Sequence, residues 1–527
     1  MVGTKKITSL GVCLAVPVLF SVYPVVFLYA HNVSILTLSQ LPVPLVFASI
    51  LAGIVFFLLQ GILKVATKAS LAAALFMVLF WNYNLLPGGL ARAFGPVPWV
   101  LLFLSLSLYA LLVWGIHRVR KIAVLKSCNH ILLVVISVLL VFNLIGMMRA
   151  EIRKSQIASP LSDSQSLRVK HVVPDNLPDI YFIILDEYAN FHTLKEAFDY
   201  DNDAFAAFLR RKGFFIAENS RSRYITTALS LAAMLNLDYP TDPVDPDVML
   251  DLIYRPETLQ GTDVYAEYQE HDQMEVFERW RNNFLFEFLT AHQYNIDVLE
   301  GVSQHYSRLD FPRADTHIAY QNVGAIGAAL WGRNHFYVML LRSSLLSPLL
   351  DSLGWEQIDD VHYLGTKYVL GRLKERRDAS YPRFVYAHIM SPHAPYVFDR
   401  YGNYVQQSTD ALRGRRVDGM VTAANTAVNE AYVEQLAFIT SEITDVIAHH
   451  FKNGMPTNTI FLIMSDHGPR PHELYLEDPH HAFHILHAVY FPDGDYSGLY
   501  DAISPVNTMR VMLNQFFGKD YPMLIDR

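Results

Sequence analysis

The stretch "TIFLIMSDHG", residues 459–468, joins a continuous apolar run to an aspartate and a histidine. The run from Thr459 to Met464 is apolar or β-branched, which is typical of a strand buried on both faces of a mostly parallel sheet. In open α/β sheets, ligands bind beyond the carboxyl ends of the strands. Asp466 and His467 therefore lie where such a fold places its ligand-binding and catalytic residues.

Two other apolar runs lead to similar residues. "IYFIIL" (180–185) precedes Asp186, and "FVYAHIM" (384–390) leads to His393 in "SPHAPY". Parallel strands end at one edge of their sheet, so we expect these groups to share one site. Carboxylate oxygens and imidazole nitrogens are ligands that suit zinc or manganese.

Helical patterns separate these strands. In "AYVEQLAFITSEITDVIAHH", apolar residues recur at spacings of three and four, which indicates an amphipathic helix. Strands that alternate with helices predict an α/β domain with a mostly parallel central sheet flanked by helices. We assign this domain to residues 178–527 and a polar, proline-bearing linker to residues 151–177.

The first 150 residues have a different composition. They hold five apolar runs, at about 7–30, 44–63, 70–86, 97–116 and 130–148. Each run is near the ~20 residues that cross a bilayer as a helix. Charged residues make up only 17% of the whole chain, against about 25% in a soluble protein. We therefore predict a five-helix transmembrane domain over residues 1–150.

Basic residues predict the orientation of this domain. They precede the first run and lie between the second and third and between the fourth and fifth. The positive-inside rule then puts the N-terminus in the cytoplasm and the C-terminal domain outside. The runs contain almost no ionisable residues, which favours a membrane anchor over a transporter. The net charge of -8 argues against nucleic-acid binding.

A metal site of this kind also needs a nucleophile, which a hydroxyl group can supply. "SRYITTALSLAAMLN" (222–236) places Thr226 and Thr227 at the start of a predicted helix. A helix N-terminus favours an anion, and a threonine hydroxyl beside a divalent cation can attack phosphorus. Alternatively, either threonine is only an N-cap.

In this order, Asp186, the "T-x-L-S" segment at Thr227, "SPHAPY" and "SDHG" resemble the alkaline phosphatase superfamily in its sulfatase-like branch. The topology of the membrane half is similar to that of membrane-anchored lipoteichoic acid synthases and phosphoethanolamine transferases. The resemblance implies Thr227 as the nucleophile, passing through a phosphothreonine. It also implies one divalent metal ion, Mn²⁺, Zn²⁺ or Mg²⁺, with the ligands Asp186, Thr227, Asp466 and His467.

The resemblance further implies substrate contacts, at His393 and, less securely, at Arg308 and His481; Arg333 competes with Arg308. Leu229 stands where this branch commonly has proline, which leaves Thr226 open as the nucleophile. Sulfatases require a formylglycine made from cysteine or serine, whereas a threonine stands here and both cysteines, Cys13 and Cys128, lie in the apolar region. Phosphorus is therefore favoured over sulfur.

The function so implied is a metal-dependent phosphotransferase of a bacterial inner membrane, with an extracytoplasmic catalytic domain. A phosphorylated head group, phosphoethanolamine or phosphoglycerol, would move from a membrane phospholipid donor to an envelope glycan or lipid acceptor. One alternative is a phosphoric-ester hydrolase, or less favourably a sulfuric-ester hydrolase, with the same site. Another is a catalytically inactive protein that senses lipid or binds a partner.

Overall fold

The computed structural model describes most of the 527-residue chain. The described ranges are 2–34, 36–83, 98–157, 177–240, 245–254, 273–300, 311–319, 335–352, 358–375, 381–406, 424–470 and 478–526. The chain forms two compact units. One holds residues 1–156 and 323–356, and the other holds residues 157–322 and 357–527.

Five apolar helices dominate the first unit. They are α1 (Val2–His31), α2 (Pro42–Leu63), α3 (Ala66–Trp81), α4 (Pro98–Arg118) and α5 (Ile122–Gln156). Three described segments are long and apolar enough to cross a membrane, namely Leu10–His31, Leu38–Leu63 and Ile122–Gln156. The apolar helices support the predicted membrane domain, whereas α3 and the apolar part of α4 are shorter. The count of five spans stays a prediction.

Hydrogen bonds between helices hold this unit together. Trp81 Nε1 donates to Ser21 Oγ at 3.0 Å, and Ser21 Oγ donates to the Ala48 carbonyl at 2.8 Å. Ser70 Oγ donates to Asn129 Oδ1 at 2.7 Å. Small and polar side chains at such contacts let apolar helices approach closely and bind one another where water is excluded.

Two short helices from later in the chain belong to the same unit, α12 (His335–Ser343) and α13 (Ser347–Ser352). The Leu345 amide donates to the Phe80 carbonyl at 2.8 Å, and the rings of Phe336 and Tyr29 lie 6.0 Å apart. The structure thus differs from the predicted division, which assigned this segment to the α/β domain. The segment is too short to predict as a span, and its partners are hundreds of residues away.

The second unit contains a seven-stranded sheet. Its strands are β1 (Asp179–Leu185), β2 (Phe215–Ile216), β3 (Asn295–Glu300), β4 (Thr316–Ala319), β5 (Arg383–Ile389), β6 (Thr459–Met464) and β7 (His487–Tyr490). Their order is β2-β7-β6-β1-β5-β3-β4. The neighbours from β6 to β4 pair in parallel, and β7 is antiparallel to both of its neighbours. The predicted α/β domain is confirmed, and its sheet is mixed.

Helices cover both faces of this sheet. Those described are α6 (Phe191–Phe198), α7 (Asp203–Arg211), α8 (Thr227–Asn236), α9 (Pro246–Tyr254), α10 (Gln273–Arg281), α11 (Phe284–Ala291), α14 (Ile358–Leu373), α15 (Ala424–His450) and α16 (Pro505–Phe517). The predicted amphipathic helix is α15, and its stripe from Tyr432 to Val446 packs on β1, β5 and β6. On the opposite face, Trp280 of α10 donates to the Tyr386 hydroxyl at 3.2 Å.

His487 in β7 makes the stability of this unit depend on pH. Its ring lies between Ser220 Oγ, at 2.8 Å, and Thr508 Oγ1, at 3.1 Å, and it is fully buried. Burial lowers the pKa of His487 to about 3. The folded state therefore binds fewer protons than the unfolded state below the ordinary pKa of histidine, so stability is present above about pH 6.5 and is lost as the pH falls towards 3.

Because of this histidine, we expect the free energy of unfolding to be about 2 kcal/mol lower at pH 5 than at pH 7. Thermal unfolding of the purified chain at both pH values measures the loss. In His487→Gln the difference between the two midpoints is expected to shrink. His192→Gln, at an exposed helical position, is the matched control and should leave the difference unchanged. An equal pH dependence in wild type and His487→Gln would contradict this assignment.

Candidate active site

The three central strands bring the predicted polar residues to one edge of the sheet. β1 lies between β5 and β6, and Ile184 is in register with both His388 and Met464. Asp186 follows β1, His393 follows β5, and Asp466 follows β6. The convergence that the sequence predicts is therefore present in the structure.

Asp186, Asp466 and His467 form a compact group of potential metal ligands. All three are fully buried, and one ligand atom from each lies within 4.8 Å of the others. His467 Nε2 is 3.4 Å from Asp466 Oδ2 and 3.8 Å from Asp186 Oδ1. Neither of these two carboxylate oxygens accepts a hydrogen bond from the described residues. Buried acceptors without donors are costly unless a cation satisfies them, so a divalent ion fits this group.

The orientation of the His467 ring supports that fit. Its Nδ1 lies 2.8 Å from the Gly468 carbonyl oxygen and donates to it. In the neutral ring this bond leaves the Nε2 lone pair directed at the two carboxylates. A lone pair that faces two anionic groups is unfavourable without a cation between them, and a second hydrogen bond of this kind commonly orients histidine ligands.

Thr227 is the fourth member of the group. It is the first residue of α8, and its hydroxyl lies 3.5 Å from Asp186 Oδ2 and 3.4 Å from His467 Nε2. Thr226 is the N-cap residue, and its side chain makes no capping hydrogen bond. The helix start thus presents the Thr227 hydroxyl, with the free N–H groups of the first turn, to the ligand group.

The backbone after β6 is fixed by a close approach. The Gly468 amide donates to the Ala482 carbonyl at 2.8 Å. A Cβ at Gly468 would lie 2.2 Å from the His481 carbonyl oxygen and 2.7 Å from that of His484. Only glycine fits here, which explains the last residue of "SDHG".

Gly468→Ala is therefore expected to displace Asp466 and His467 or to unfold this edge of the domain. The new Cβ meets backbone oxygen, which cannot move aside as the end of a side chain can. We expect a loss of stability of several kcal/mol, in the range of severe overpacking. Thermal unfolding measures it, with Gly371→Ala as the control, because a Cβ at Gly371 meets nothing within 4 Å and that position needs no positive φ. A loss in Gly468→Ala no larger than that in Gly371→Ala would contradict the steric explanation.

Charges around Asp186 keep its carboxyl ionised. Burial alone raises its pKa, but the charge of His393 and the hydrogen bond and charge of His388 outweigh burial and hold the pKa below its ordinary range. His388 Nε2 donates to Asp186 Oδ2 at 3.2 Å. Burial lowers the pKa of His388, and the bond to Asp186 more than compensates, so that this pKa is raised.

His393 is positioned at the mouth of this group. Its amide donates to the Asp186 carbonyl at 3.1 Å, and the guanidinium of Arg470 contacts its Nε2. Arg470 Nε also donates to Glu187 Oε1 at 2.5 Å, and Glu187 is fully buried. Gln435, buried on α15, donates to the carbonyl of His393 at 2.9 Å. These contacts hold the loop that carries His393.

Two of these supporting residues were not predicted. Arg470 follows the "SDHG" motif by two positions, and that proximity was the one signal for it. Gln435 stands on the buried stripe of a long helix, and no pattern in the sequence separates it from an ordinary polar residue.

The other predicted substrate contacts lie apart from the ligand group or outside the described residues. Arg308 and Arg333 fall outside the described residues. His481 is buried, and its Nδ1 lies 3.2 Å from Thr193 Oγ1; His484 Nδ1 lies 3.3 Å from the same hydroxyl. Burial lowers the pKa of His481. No described hydrogen bond joins the His481 ring to the ligand group.

Comparison with known proteins identifies the domain. Residues 265–502 match the family model described as Sulfatase. The match holds His393, Asp466 and His467, and it begins after Asp186 and Thr227. No curated protein matches the chain.

Solved structures show weak likenesses. Lipooligosaccharide phosphoethanolamine transferase A of Neisseria meningitidis is 13% identical, over 95% of this chain and 94% of that chain, with a TM-score of 0.35. The C-terminal periplasmic domain of EcEptC from Escherichia coli, in a zinc complex, is 10% identical over 66% and 84%, with a TM-score of 0.38. The putative sulfatase yidJ of Bacteroides fragilis is 14% identical over 66% and 75%, with a TM-score of 0.36. At these values they do not distinguish a transferase from a sulfatase.

The fold and the family match define an α/β enzyme. Residues 265–502 therefore contain a domain similar to the sulfatase family, in line with the resemblance of the sequence to the sulfatase-like branch of the alkaline phosphatase superfamily.

Proposed function

We propose that this enzyme is a metal-dependent phosphotransferase that takes a phosphorylated head group from a membrane phospholipid. The observation that carries the proposal is the Thr227 hydroxyl, which lies at a helix N-terminus within 3.5 Å of Asp186 and His467. A divalent ion held by Asp186, Asp466, His467 and Thr227 would supply positive charge and lower the pKa of the hydroxyl. Mn²⁺, Zn²⁺ and Mg²⁺ are the candidates.

The transfer proceeds in two displacements. Thr227 Oγ1 gives up its proton and forms a bond to phosphorus, the bond from phosphorus to the diacylglycerol oxygen breaks, and that oxygen takes up a proton. We assign to His393 the role of holding the leaving oxygen or a phosphate oxygen. In the second displacement an acceptor hydroxyl attacks the phosphothreonine, gives up its proton and frees the Thr227 oxygen. The first-turn N–H groups of α8 stabilise the charge on phosphorus in both steps.

Threonine at this position also favours phosphorus over sulfur. The sulfatase reaction needs a formylglycine, and threonine is not a precursor of that group. Both cysteines of the chain lie in the apolar region. The apolar helices favour a lipid donor, because they hold the enzyme in the plane where that donor lies.

The cellular setting is part of the same proposal. We place the enzyme in a bacterial inner membrane, with five spans, the N-terminus in the cytoplasm and the catalytic domain outside. The acceptor is then an envelope glycan or lipid. The four-residue group is complete, which argues against a catalytically inactive relative.

Product analysis tests this function. The purified chain is incubated with Mn²⁺ and mixed phospholipids, and the products are separated by chromatography and mass spectrometry. We expect diacylglycerol, with the head group transferred when an acceptor is present. A free phosphorylated head group, formed at the same rate with and without acceptor, would instead establish a hydrolase. Sulfate release from an aryl sulfate, without diacylglycerol, would overturn the assignment to phosphorus.

A further inference from the structure

A basic cavity opens at one end of the apolar helices. Its volume is about 560 Å³. Its lining includes Lys68, Trp114, His117, Arg118, Arg120 and Ile122, and we call it the basic cavity. It lies where α3 and α5 begin and α4 ends, the opposite end of the bundle from Gln156. All of these residues belong to the first unit.

Lys68 contributes a positive charge to the lining of the basic cavity. Lys68 is 8% exposed, and its ammonium donates to the His117 carbonyl at 2.5 Å. An ammonium has three donors, so this bond leaves two others. Within the described part of the chain, no carboxylate lies within 4 Å of Lys68, Arg118 or Arg120. A buried ammonium without a counter-ion is costly, and a bound anion would remove that cost.

The N-termini of two helices also favour an anion in the basic cavity. Lys68 stands in the first turn of α3, and Ile122 is the first residue of α5, so both line the basic cavity from helix N-termini. The positive ends of these two helices attract an anion. The C-terminus of α4 has the opposite sign, but the Lys68 ammonium already satisfies one of its carbonyls, that of His117.

The outer face of α4 indicates that the anion is part of a lipid. Leu104, Leu108, Leu111 and Trp114 follow one another at spacings of three and four, and all are more than half exposed. This stripe leads from the middle of α4 to the basic cavity. The Arg118 guanidinium lies 4.9 Å from the centre of the Trp114 ring, and tryptophan is enriched at membrane–water interfaces.

We infer that the basic cavity binds the phosphate of an anionic phospholipid, whose acyl chains lie along the outer face of α4. With the catalytic domain outside, this lipid belongs to the cytoplasmic leaflet. Basic pockets between transmembrane helices on that side bind anionic head groups. The site is distinct from the one that holds Thr227, and it does not depend on the phosphotransfer chemistry.

Native mass spectrometry of the full chain in detergent tests the inference. Phosphatidylglycerol is titrated against wild type, Arg118→Gln and Arg120→Gln, with phosphatidylcholine as the neutral lipid. Lys121→Gln is the matched control, since it removes the same charge one residue from Arg120 and does not line the basic cavity. The Lys68 ammonium also donates a hydrogen bond to α4, so Lys68→Gln could disturb the helix packing. The test therefore uses the two arginine variants.

Each arginine variant is expected to weaken phosphatidylglycerol binding about fivefold, the effect of one basic residue near an anionic lipid. Lys121→Gln and wild type should bind alike, and phosphatidylcholine should bind far more weakly. If Lys121→Gln weakened phosphatidylglycerol binding equally, the general positive charge at this end of the helices would explain the binding, and the proposed site would be wrong. Displacement of the lipid by millimolar inorganic phosphate would overturn the lipid as the occupant, because a soluble anion would then be sufficient.

Discussion

Thr227→Ala is expected to lower the rate of diacylglycerol release by about a thousandfold or more, because it removes the oxygen that attacks phosphorus. Losses of this size follow when a nucleophile is removed from an enzyme that uses one. Thr227→Ser keeps an oxygen at the same place and should retain measurable activity. The rate is measured by diacylglycerol formation at saturating phospholipid.

Thr226→Ala is the matched control for this prediction. Thr226 is the neighbouring threonine, it is the N-cap of the same helix, and its side chain makes no capping bond. We expect the rate of diacylglycerol release by Thr226→Ala to stay within a few-fold of the wild-type rate. A thousandfold loss in Thr226→Ala with an active Thr227→Ala would move the nucleophile to Thr226.

Asp466→Asn is expected to abolish metal binding while leaving the metal-free fold at least as stable as wild type. The substitution keeps the volume of the side chain and removes one anionic ligand. Without a metal, Asp466 and Asp186 are buried beside the same imidazole, and one oxygen of each carboxylate accepts no hydrogen bond from the described residues. Removing one uncompensated buried charge should relieve part of that cost.

Two measurements separate these effects. Elemental analysis should find about one Mn²⁺ or Zn²⁺ per wild-type chain and none per Asp466→Asn chain. Added metal should stabilise wild type by about 2.7 kcal/mol at a concentration one hundred times Kd and should not stabilise the variant. Asp478→Asn, at the N-cap of a 3₁₀ turn outside the ligand group, is the control. Equal stabilisation of Asp466→Asn by metal would place the ion elsewhere.

The strand ends could be predicted because their signals are local. The apolar runs before Asp186, before His393 and before Asp466 each mark a buried strand. Parallel pairing then brings their ends to one edge without further information. A helix that starts at the two threonines was predicted from its sequence, whereas the place of Thr227 in the ligand group was implied only by the family resemblance.

Other features depend on contacts that a single sequence does not reveal. The apolar run "FHILHAVYF" gives no strand direction, and β7 is antiparallel to β6 because the chain returns beside it. The strands β2 and β4 are two and four residues long, too short to show a period. Gln435 and Arg470 support the His393 loop through partners tens to hundreds of residues away.

Intact-protein mass spectrometry tests the covalent intermediate most directly. Wild type, Thr227→Ala and Thr226→Ala are each incubated with Mn²⁺ and mixed phospholipids, quenched in acid and weighed. We expect wild type and Thr226→Ala to gain the mass of one phosphorylated head group, which names the donor lipid, and Thr227→Ala to gain none. An adduct that persists in Thr227→Ala, or diacylglycerol release by wild type without any adduct, would contradict a phosphothreonine at Thr227.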